Sequence, residues 1–482
     1  MSIFDNLRNW FLAPLLQNGG EGMERLAAAE QRRNYRQGVQ RRYLKRSRAG
    51  VDDNLVINFS GLIVNRSVSM LLGGGVKFDL PGEGETPADQ YIQAVMDANK
   101  QEILLLKAAL LASEQGTGYL KIIPDAITYT MRTPAEVDDA GNVVRQATAQ
   151  EIVLPRLVAL DPAIVRIDTR PDDVEDVLRY VIEYVIVEGQ TVIARRETIE
   201  RDDGVEIDEA GVPQIVRDPA WVIVNAESHN GMPFVETSRE VWPYPFPPVL
   251  HWQNLPNPTS VYGTPDLTDD VIELQDKYNF TVSNLSKIIR LYAHPQRYAR
   301  QLGSTSTVTI GPDEMPNFNS EHGGIFQLEP IGDLAGAQAF ALSLRQSLFD
   351  ITQTVDFSSI ADKIGALTNF GLRVLYTDAL AKLGVKRRLF GDALTELVRR
   401  LLIIGGLDPD PGEIVWPDAL PLNATEQSQV LATDMANGLV SKQTAAELRG
   451  YNWTVEQERM EAEREGEDNL GAALLRAFNA GQ

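Results

Sequence analysis

Few residues of this 482-residue chain have the types and spacing that covalent chemistry needs. Cysteine is absent, which removes thiolate nucleophiles, thiolate metal sites and disulfides. The four histidines, His229, His251, His294 and His322, are scattered with no H-x-x-H or H-E-x-x-H spacing. A catalytic zinc would have to be assembled from distant segments. Two acidic pairs, Asp269/Asp270 and Asp408/Asp410, are of the right type for acid–base work or metal binding. Adjacent residues on a helix point about 100° apart, so Asp269 and Asp270 do not converge. Asp408-Pro409-Asp410-Pro411 lies in a Gly/Pro linker. Gly73-Gly74-Gly75 lacks the G-x-x-x-x-G-K-[ST] spacing of a phosphate loop and reads as a helix stop. These residues predict no enzyme, no cofactor and no metal site.

What remains is charge. The formal net charge is -22, the opposite of the basic footprint of a sequence-reading DNA binder. It favours solubility and self-repulsion. Against that background Arg32, Arg33, Arg36, Arg41, Arg42, Lys45, Arg46 and Arg48 crowd one short stretch. They read either as a nucleic-acid or partner contact or as a solvated helix face that pairs with acidic neighbours in an assembly. Hydrophobic residues make up 43% and charged residues 23%, ordinary for a folded protein. The length suggests about three domains. Met1 to Trp10 has no signal-peptide pattern, and the best apolar run, Ile103 to Ala112, is broken by Lys107. A soluble protein made in a cytoplasm is expected, with no membrane partner.

The elements that must position these charges follow from periodicity. Asn54 to Phe78 reads as a helix, a glycine stop and a short strand at Val76 to Leu80. Pro87 to Ser113 reads as one further helix. Tyr119–Ile123, Ala126–Met131, Glu151–Ala159, Val177–Val187, Thr191–Glu200 and Ala220–Asn225 are short β-branched runs between turn signals, which predicts antiparallel meanders. Trp242 to Pro265 reads as a proline-rich loop. Thr264-Pro265-Asp266 then reads as a helix start, with a capping hydroxyl, proline at the first position and an acid in the first turn. Leu267, Val271, Leu274, Tyr278, Val282, Leu285, Ile289 and Tyr292 give it one apolar stripe over roughly 40 Å, ending before Pro295. Short strands at Ser306–Ile310 and Gly324–Leu328 follow, then a second stripe from Leu334 to Val355. A third runs from Leu372 to Leu401, with Gly384 as a candidate kink. Its polar face carries Arg373, Lys382, Lys386, Arg387, Arg388, Arg399 and Arg400. Gly405 to Pro417 is a linker, and Thr425 to Glu465 returns to helix.

The ordered series resembles the portal proteins of tailed phages, and most closely those of long-tailed siphophages. Tyr35, Gly38 and Gln40 look like the family's early Tyr-Gly-Gln signature. Asn54 to Phe78 is similar to its helix with a Leu-Gly turn before a strand. Gly118-Tyr119-Leu120-Lys121 and Leu160-Asp161-Pro162 resemble its next two strand signatures. Gly263 to Arg290 resembles its first stem helix, with Asp276, Tyr278 and Asn279 as an Asp-x-Tyr-Asn pattern. Gly365-Ala366-Leu367 resembles the turn before its long helix, with Ile364 where the family usually has serine. Gly438 to Thr444 is similar to its crown segment.

The resemblance implies an α+β portal fold and a ring oligomer. Residues 1–263 and 369–404 would form the wing, 264–293 and 333–354 a two-helix stem, and 294–332 a small clip. Residues 355–368 would form a tunnel loop and 405–482 a helical crown with the C-terminal tail. It implies a closed ring, typically of twelve subunits, at one capsid vertex of the virion, carrying double-stranded DNA during packaging and ejection. The implied partners are the large terminase, head-completion adaptor and tail proteins, and the major capsid and scaffold proteins. Lys287, Arg290, Arg345, Lys363, Thr368 and Asn369 are the expected channel residues. Arg297, Arg300, Phe318 and Phe326 are the expected clip contacts to terminase or adaptor. Each channel cation has an alternative role, pairing with an acid on an adjacent subunit. Another head–tail connector or adaptor is the other structural class with the same acidity and lack of cysteine, but adaptors are usually much shorter.

Overall fold

The computed structural model describes residues 20–46, 50, 52–82, 86–133, 136–137, 143–145, 148–188, 191–207, 213–215, 217–230, 232–293, 297–300, 324–327, 334–356, 371, 374–417, 419, 424–449, 453, 456–457 and 459–460. The chain divides into two units, one of residues 1–366 with 373–419, the other of 367–372 with 420–482. Helix and sheet are mixed, as the sequence predicts, and among the described residues every strand pairing is antiparallel.

In the first unit the helices are α1 (Gly20–Arg36), α2 (Phe59–Leu72), α3 (Pro87–Ala98), α4 (Gln101–Gln115), α5 (Asp269–Ala293), α6 (Leu334–Ile351) and α7 (Thr377–Ile404). The expected single helix over 87–113 is two. Asn99 ends α3, and Lys100 takes a left-handed backbone with φ +53° before α4 starts. That break turns α4 so that Leu104, Leu105, Ala108, Ala109 and Ala112 can join the core. The Thr86 cap of α3 is a complete capping box with Asp89.

Strands β1 (Lys77–Asp79), β2 (Thr117–Thr133), β3 (Glu136–Val137), β4 (Val143–Arg145), β5 (Thr148–Ala159), β6 (Val165–Arg170), β7 (Asp173–Glu188) and β8 (Thr191–Asp202) precede β9 (Val205–Ile207), β10 (Pro213–Ile215), β11 (Ala220–His229), β12 (Val235–Trp242) and β13 (Val249–Gln253). The main sheet has the order β12-β11-β8-β7-β6, and a second sheet has the order β13-β2-β5. The two runs expected at 119–131 form one strand, β2. Its register shifts around Pro124-Asp125, where Asp125 has φ +49°. The expected loop at 242–265 contains β13, which pairs with the start of β2. Prolines on both sides disguise this buried strand, and it is too short to show a period.

Three apolar cores result. The first joins α2, α3, α4 and α7 to β2, β5 and β13. The second joins α2, α5 and α6 through Phe59, Val271, Tyr278, Leu344 and Leu348. The third lies under the main sheet around Tyr180, Ile199, Trp221 and Trp242. Helix α2 serves two cores, its first half through Phe59, Ile63 and Val64 and its second half through Val68 and Leu71. It can approach the end of α1 closely because position 61 is glycine: a Cβ there would sit 2.6 Å from the Arg36 carbonyl. Strand β14 (Arg297–Arg300) pairs with β15 (Gly324–Gln327), so a hairpin stands between α5 and α6. The expected strand 306–310 lies outside the described residues. Helix α7 runs unbroken through Gly384. In the linker, β16 (Glu413–Val415) pairs back onto β1.

The second unit holds α8 (Ala424–Ala436) and α9 (Lys442–Leu448), joined by a turn in which Gly438 has φ +69°. Ser441 caps α9, accepting from the Thr444 amide at 3.1 Å.

The left-handed Lys100 carries a steric cost that glycine lacks. Lys100→Gly is expected to stabilise the protein by about 0.5–1 kcal/mol in chemical denaturation.

Candidate functional site

Helix α5 is buried on two faces. One is the apolar stripe that meets α6. The other is polar and rises in steps of four: Gln275, Asn279 and Ser283, with Asp276 beside them, all buried. The segment between α1 and α2 lies along this face and is tied to it rung by rung. Ser60 N donates to Gln275 Oε1 at 3.2 Å, and Gln275 Nε2 donates to the Ile57 carbonyl at 2.8 Å. Ile57 N donates to Asn279 Oδ1 at 3.1 Å, and Asn279 Nδ2 donates to Gln40 Oε1 at 2.6 Å. Gln40 Nε2 returns to Asn58 Oδ1 at 3.0 Å and to the Tyr35 carbonyl at 3.1 Å. The Tyr35 and Tyr43 hydroxyls donate to the two oxygens of Asp276, at 2.6 and 2.7 Å. Burial, reinforced by this carboxylate, pushes both phenol pKa values up, so both stay donors. Ser283 holds Leu55 N at 2.9 Å, and Arg290 forks onto Asp53 with both bonds at 2.7 Å.

Thus Tyr35 and Gln40 of the Tyr-Gly-Gln residues and Asp276 and Asn279 of the Asp-x-Tyr-Asn residues, 241 and 239 positions apart in sequence, form one hydrogen-bonded ladder. Tyr278 does not join it. It turns to the apolar side, edge-on to Phe59 at 5.1 Å. Gly38 has φ +82°, which lets the chain leave α1 and turn along α5.

A second constellation sits where α5 begins. The expected start at Thr264 is corrected by the structure. The helix begins at Asp269, and Thr268 accepts its first helical bond, from Ile272 N at 3.1 Å. Asp266, expected as a first-turn acid, is instead a fully buried carboxylate. Lys382 reaches one oxygen at 2.8 Å and Lys386 the other at 2.5 Å. Lys386 also donates to Ser67 Oγ at 2.7 Å and Ser113 Oγ at 3.1 Å, and Lys382 to the Thr352 carbonyl at 2.9 Å. One ion cluster therefore joins the approach to α5, the end of α6, α7, α2 and α4. Burial alone would raise the Asp266 carboxyl. The two ammonium groups more than offset that and hold it well below the usual carboxylate range. Burial pushes Lys386 down to about 8 against the pull of Asp266, so the pair is charged at neutral pH.

The expected basic polar face of α7 is corrected at Lys382, Lys386 and Arg400, while Arg388 stays exposed and Arg373 lies outside the described residues. Lys386 is 3% exposed and Arg400 8%. Arg400 donates to the carbonyls of Pro247 and Val249, at 2.8 and 3.1 Å, and to Glu396. The arginines near the N-terminus pair inside the chain as well. Arg33 forks onto Asp161 at 2.7 Å, Arg33 and Arg36 share the buried Glu114, and Arg42 meets Asp52 at 2.9 Å. Glu396 lies one turn from Arg400 on the same helix and Asp52 ten residues from Arg42, but Glu114, Asp161 and the Pro247 and Val249 carbonyls are distant in sequence, so only the packed chain reveals those pairings.

The expected channel residues separate in the same way. Lys287 is exposed on α5, in a stripe with Asp270, Glu273, Lys277, Phe280 and Asn284. Arg290 and Arg345, expected to offer charge to the bore, are engaged within the chain, on Asp53 and, at 2.7 Å, on Asp356. Lys363, Thr368, Asn369 and Phe318 lie outside the described residues. The backbone of the β14–β15 hairpin places Arg297 opposite Gln327 and Phe326 opposite Tyr298, with Arg300 at its far end opposite Gly324. Among the described residues no group of acids and histidines could hold a metal ion, and no helix is long and apolar enough to cross a membrane.

Removing one partner of a buried ion cluster leaves uncompensated charge, which costs about 3–5 kcal/mol. Asp266→Asn is expected to destabilise by that order in urea titration. The folded carboxyl is depressed, so its contribution is present above the unfolded value near pH 4 and fades as pH falls through the folded one. The gap between wild type and Asp266→Asn should accordingly close below about pH 4. In the ladder, Asn279→Ala leaves the Ile57 amide and Gln40 Oε1 without their partners. Limited proteolysis is expected to cut within residues 37–58 before the rest of the chain opens.

Residues 23–470 match the family described as phage portal protein, SPP1 Gp6-like. No curated protein matches the chain. Among solved structures, a chain from the virion of a native gene transfer agent (GTA) particle is 12% identical with a TM-score of 0.41, covering 82% of this chain and 89% of that one. A chain from the neck of a native GTA particle, computed with C12 symmetry, is 13% identical with a TM-score of 0.40, covering 82% of this chain and 91% of that one. The family match takes in the whole of the ladder and the ion cluster, and by it the chain belongs to the SPP1 Gp6-like phage portal protein family.

Proposed function

We propose that this chain forms a closed ring of twelve copies at one capsid vertex and is the conduit for double-stranded DNA during packaging and ejection. The observation that carries this reading is the family match over residues 23–470. The order of the long helices supports it: α5 and α6 bracket a small hairpin, and α7 follows. In this reading residues 1–263 and 369–404 are the wing, 264–293 and 333–354 the stem, 294–332 the clip, 355–368 the tunnel loop and 405–482 the crown. The clip docks the large terminase, which supplies the ATP hydrolysis, and later the head-completion adaptor and tail, through Arg297, Arg300, Phe318 and Phe326. Major capsid and scaffold proteins surround the ring in the virion.

The acidity suits a conduit. Each chain carries -22, and a wall of that sign repels phosphates, within a Debye length of about 8 Å at physiological salt. Local cations then position the duplex. Lys287 does so from its exposed place on α5, with Lys363, Thr368 and Asn369 of the loop region. Arg290 and Arg345 act at one remove. Arg290 anchors the segment between α1 and α2 on α5, and Arg345 holds Asp356 at the root of the tunnel loop.

Negative-stain electron microscopy with native mass spectrometry is expected to show channelled rings of twelve. Monodisperse monomers in the presence of scaffold and capsid protein would overturn the reading. Lys287→Glu combined with Lys363→Glu should leave rings intact and lower the DNA packaged per particle. Unchanged packaging would remove these residues from the channel wall.

A further inference from the structure

The ladder lays two acid-free stretches side by side. In a chain with 67 acidic residues, residues 37–51 and 277–293 contain none, yet they carry Arg41, Arg42, Lys45, Arg46, Lys277 and Lys287. All six are exposed. The first stretch is irregular chain pinned along α5, and the second is α5 itself from its third turn onward. The Tyr43 ring stands edge-on to Phe280 at 5.8 Å, which joins the two stretches into one surface.

The acids closest to this surface are turned inward. Asp276 is buried beneath the Tyr35 and Tyr43 hydroxyls, and Asp53 is 7% exposed under the Arg290 fork. Asp52 is shared by Arg42 at 2.9 Å and Arg46 at 3.8 Å, whose side chains are still 62% and 71% exposed. Arg41 lies against the Tyr43 hydroxyl. Among the described residues Arg41, Lys45 and Lys287 form no ion pair. The exposed acids of α5, Asp269, Asp270 and Glu273, all precede Lys277. A protein of net charge -22 thus turns one cationic surface outward.

Charge dominates that surface. The centre of a subunit interface is depleted of charged residues, whereas a surface that receives nucleic acid is more polar and strongly positive. Between Lys277 and Lys287 the helix rises about 15 Å, a length that spans about four phosphates of one DNA strand.

We propose that this surface holds the phosphate backbone of double-stranded DNA, with Arg41, Arg42, Lys45 and Arg46 acting beside Lys287. The proposal rests on the conduit reading, which brings a duplex to α5. It adds that the segment between α1 and α2 touches the duplex as well as the stem helix. Contacts to phosphate carry no sequence information, so the surface positions any duplex alike.

The test is fluorescence anisotropy of a short labelled duplex with the full chain, titrated with sodium chloride, with native mass spectrometry on the same samples. Wild type is expected to bind, with an affinity that falls steeply with salt. Each lost phosphate contact lowers the slope of log affinity against log salt by about 0.9. Arg41→Gln with Lys45→Gln should therefore lower it by about 1.8, and adding Lys287→Gln by about 0.9 more. Lys442→Gln with Arg449→Gln removes the same charge from the second unit and should keep the wild-type slope. If wild type binds no duplex, if the Arg41/Lys45 pair keeps the wild-type slope, or if the control lowers it equally, the proposal fails. Wild-type rings in the same samples leave the conduit reading standing in each of those cases, and their absence counts against that reading alone. If the Arg41/Lys45 pair binds DNA as wild type does but no longer forms wild-type rings, the surface is a subunit contact and the proposal is overturned.

Discussion

The architecture turns on a carboxylate that water cannot reach. Asp266 is placed between Lys382 and Lys386, and these three side chains tie the approach to α5, the end of α6 and the middle of α7 to α2 and α4. Taking three charges out of water is expensive, and attraction repays it only when the geometry is close and every remaining donor is used. Here Ser67, Ser113 and the Thr352 carbonyl take up those donors. An apolar cluster would tolerate small slides of one helix against another. A charge cluster does not, because a shift of one turn would strand an ion. The start of α5, the end of α6 and the middle of α7 are therefore fixed relative to one another.

The ladder along α5 extends the same logic. A helix of 25 residues has room for three faces, and this one gives one to apolar contact with α6, one to polar contact with the preceding segment and one to solvent. Amide side chains suit the middle role. Gln275 and Asn279 each donate and accept, so they satisfy backbone groups of an irregular segment that has no sheet or helix of its own. A helix braced on two sides by different kinds of contact resists sliding better than one braced by a single apolar stripe.

Charge is distributed by the same principle. Most arginines of α1 and α7 are spent inside the subunit, on Glu114, Asp161, Glu396 and main-chain carbonyls, while Arg388 stays exposed. What the exterior keeps is the surplus of acid, with a few exposed lysines such as Lys287.

From the amino-acid order alone come the mixed class, the antiparallel meanders, the three long amphipathic helices and, between two of them, the strand near Gly324, because periodicity and turn chemistry are local properties; the strand Arg297–Arg300 that pairs with it was not read. The motif residues of the ladder were also legible, though only as a resemblance and not as a contact. Tertiary structure decided the rest. Asp266 reads as a helix-start acid by every local rule, and Lys386 and Arg400 as members of a solvated face. Their burial depends on partners more than a hundred residues away. The break at Lys100 and the strand at Val249–Gln253 escaped for a related reason. One is a backbone conformation that lysine seldom adopts, and the other a strand too short to have a period. Sequence determines which faces a segment can offer; only the packed chain determines which face another segment covers, since desolvation and charge pairing are settled between elements and not within them.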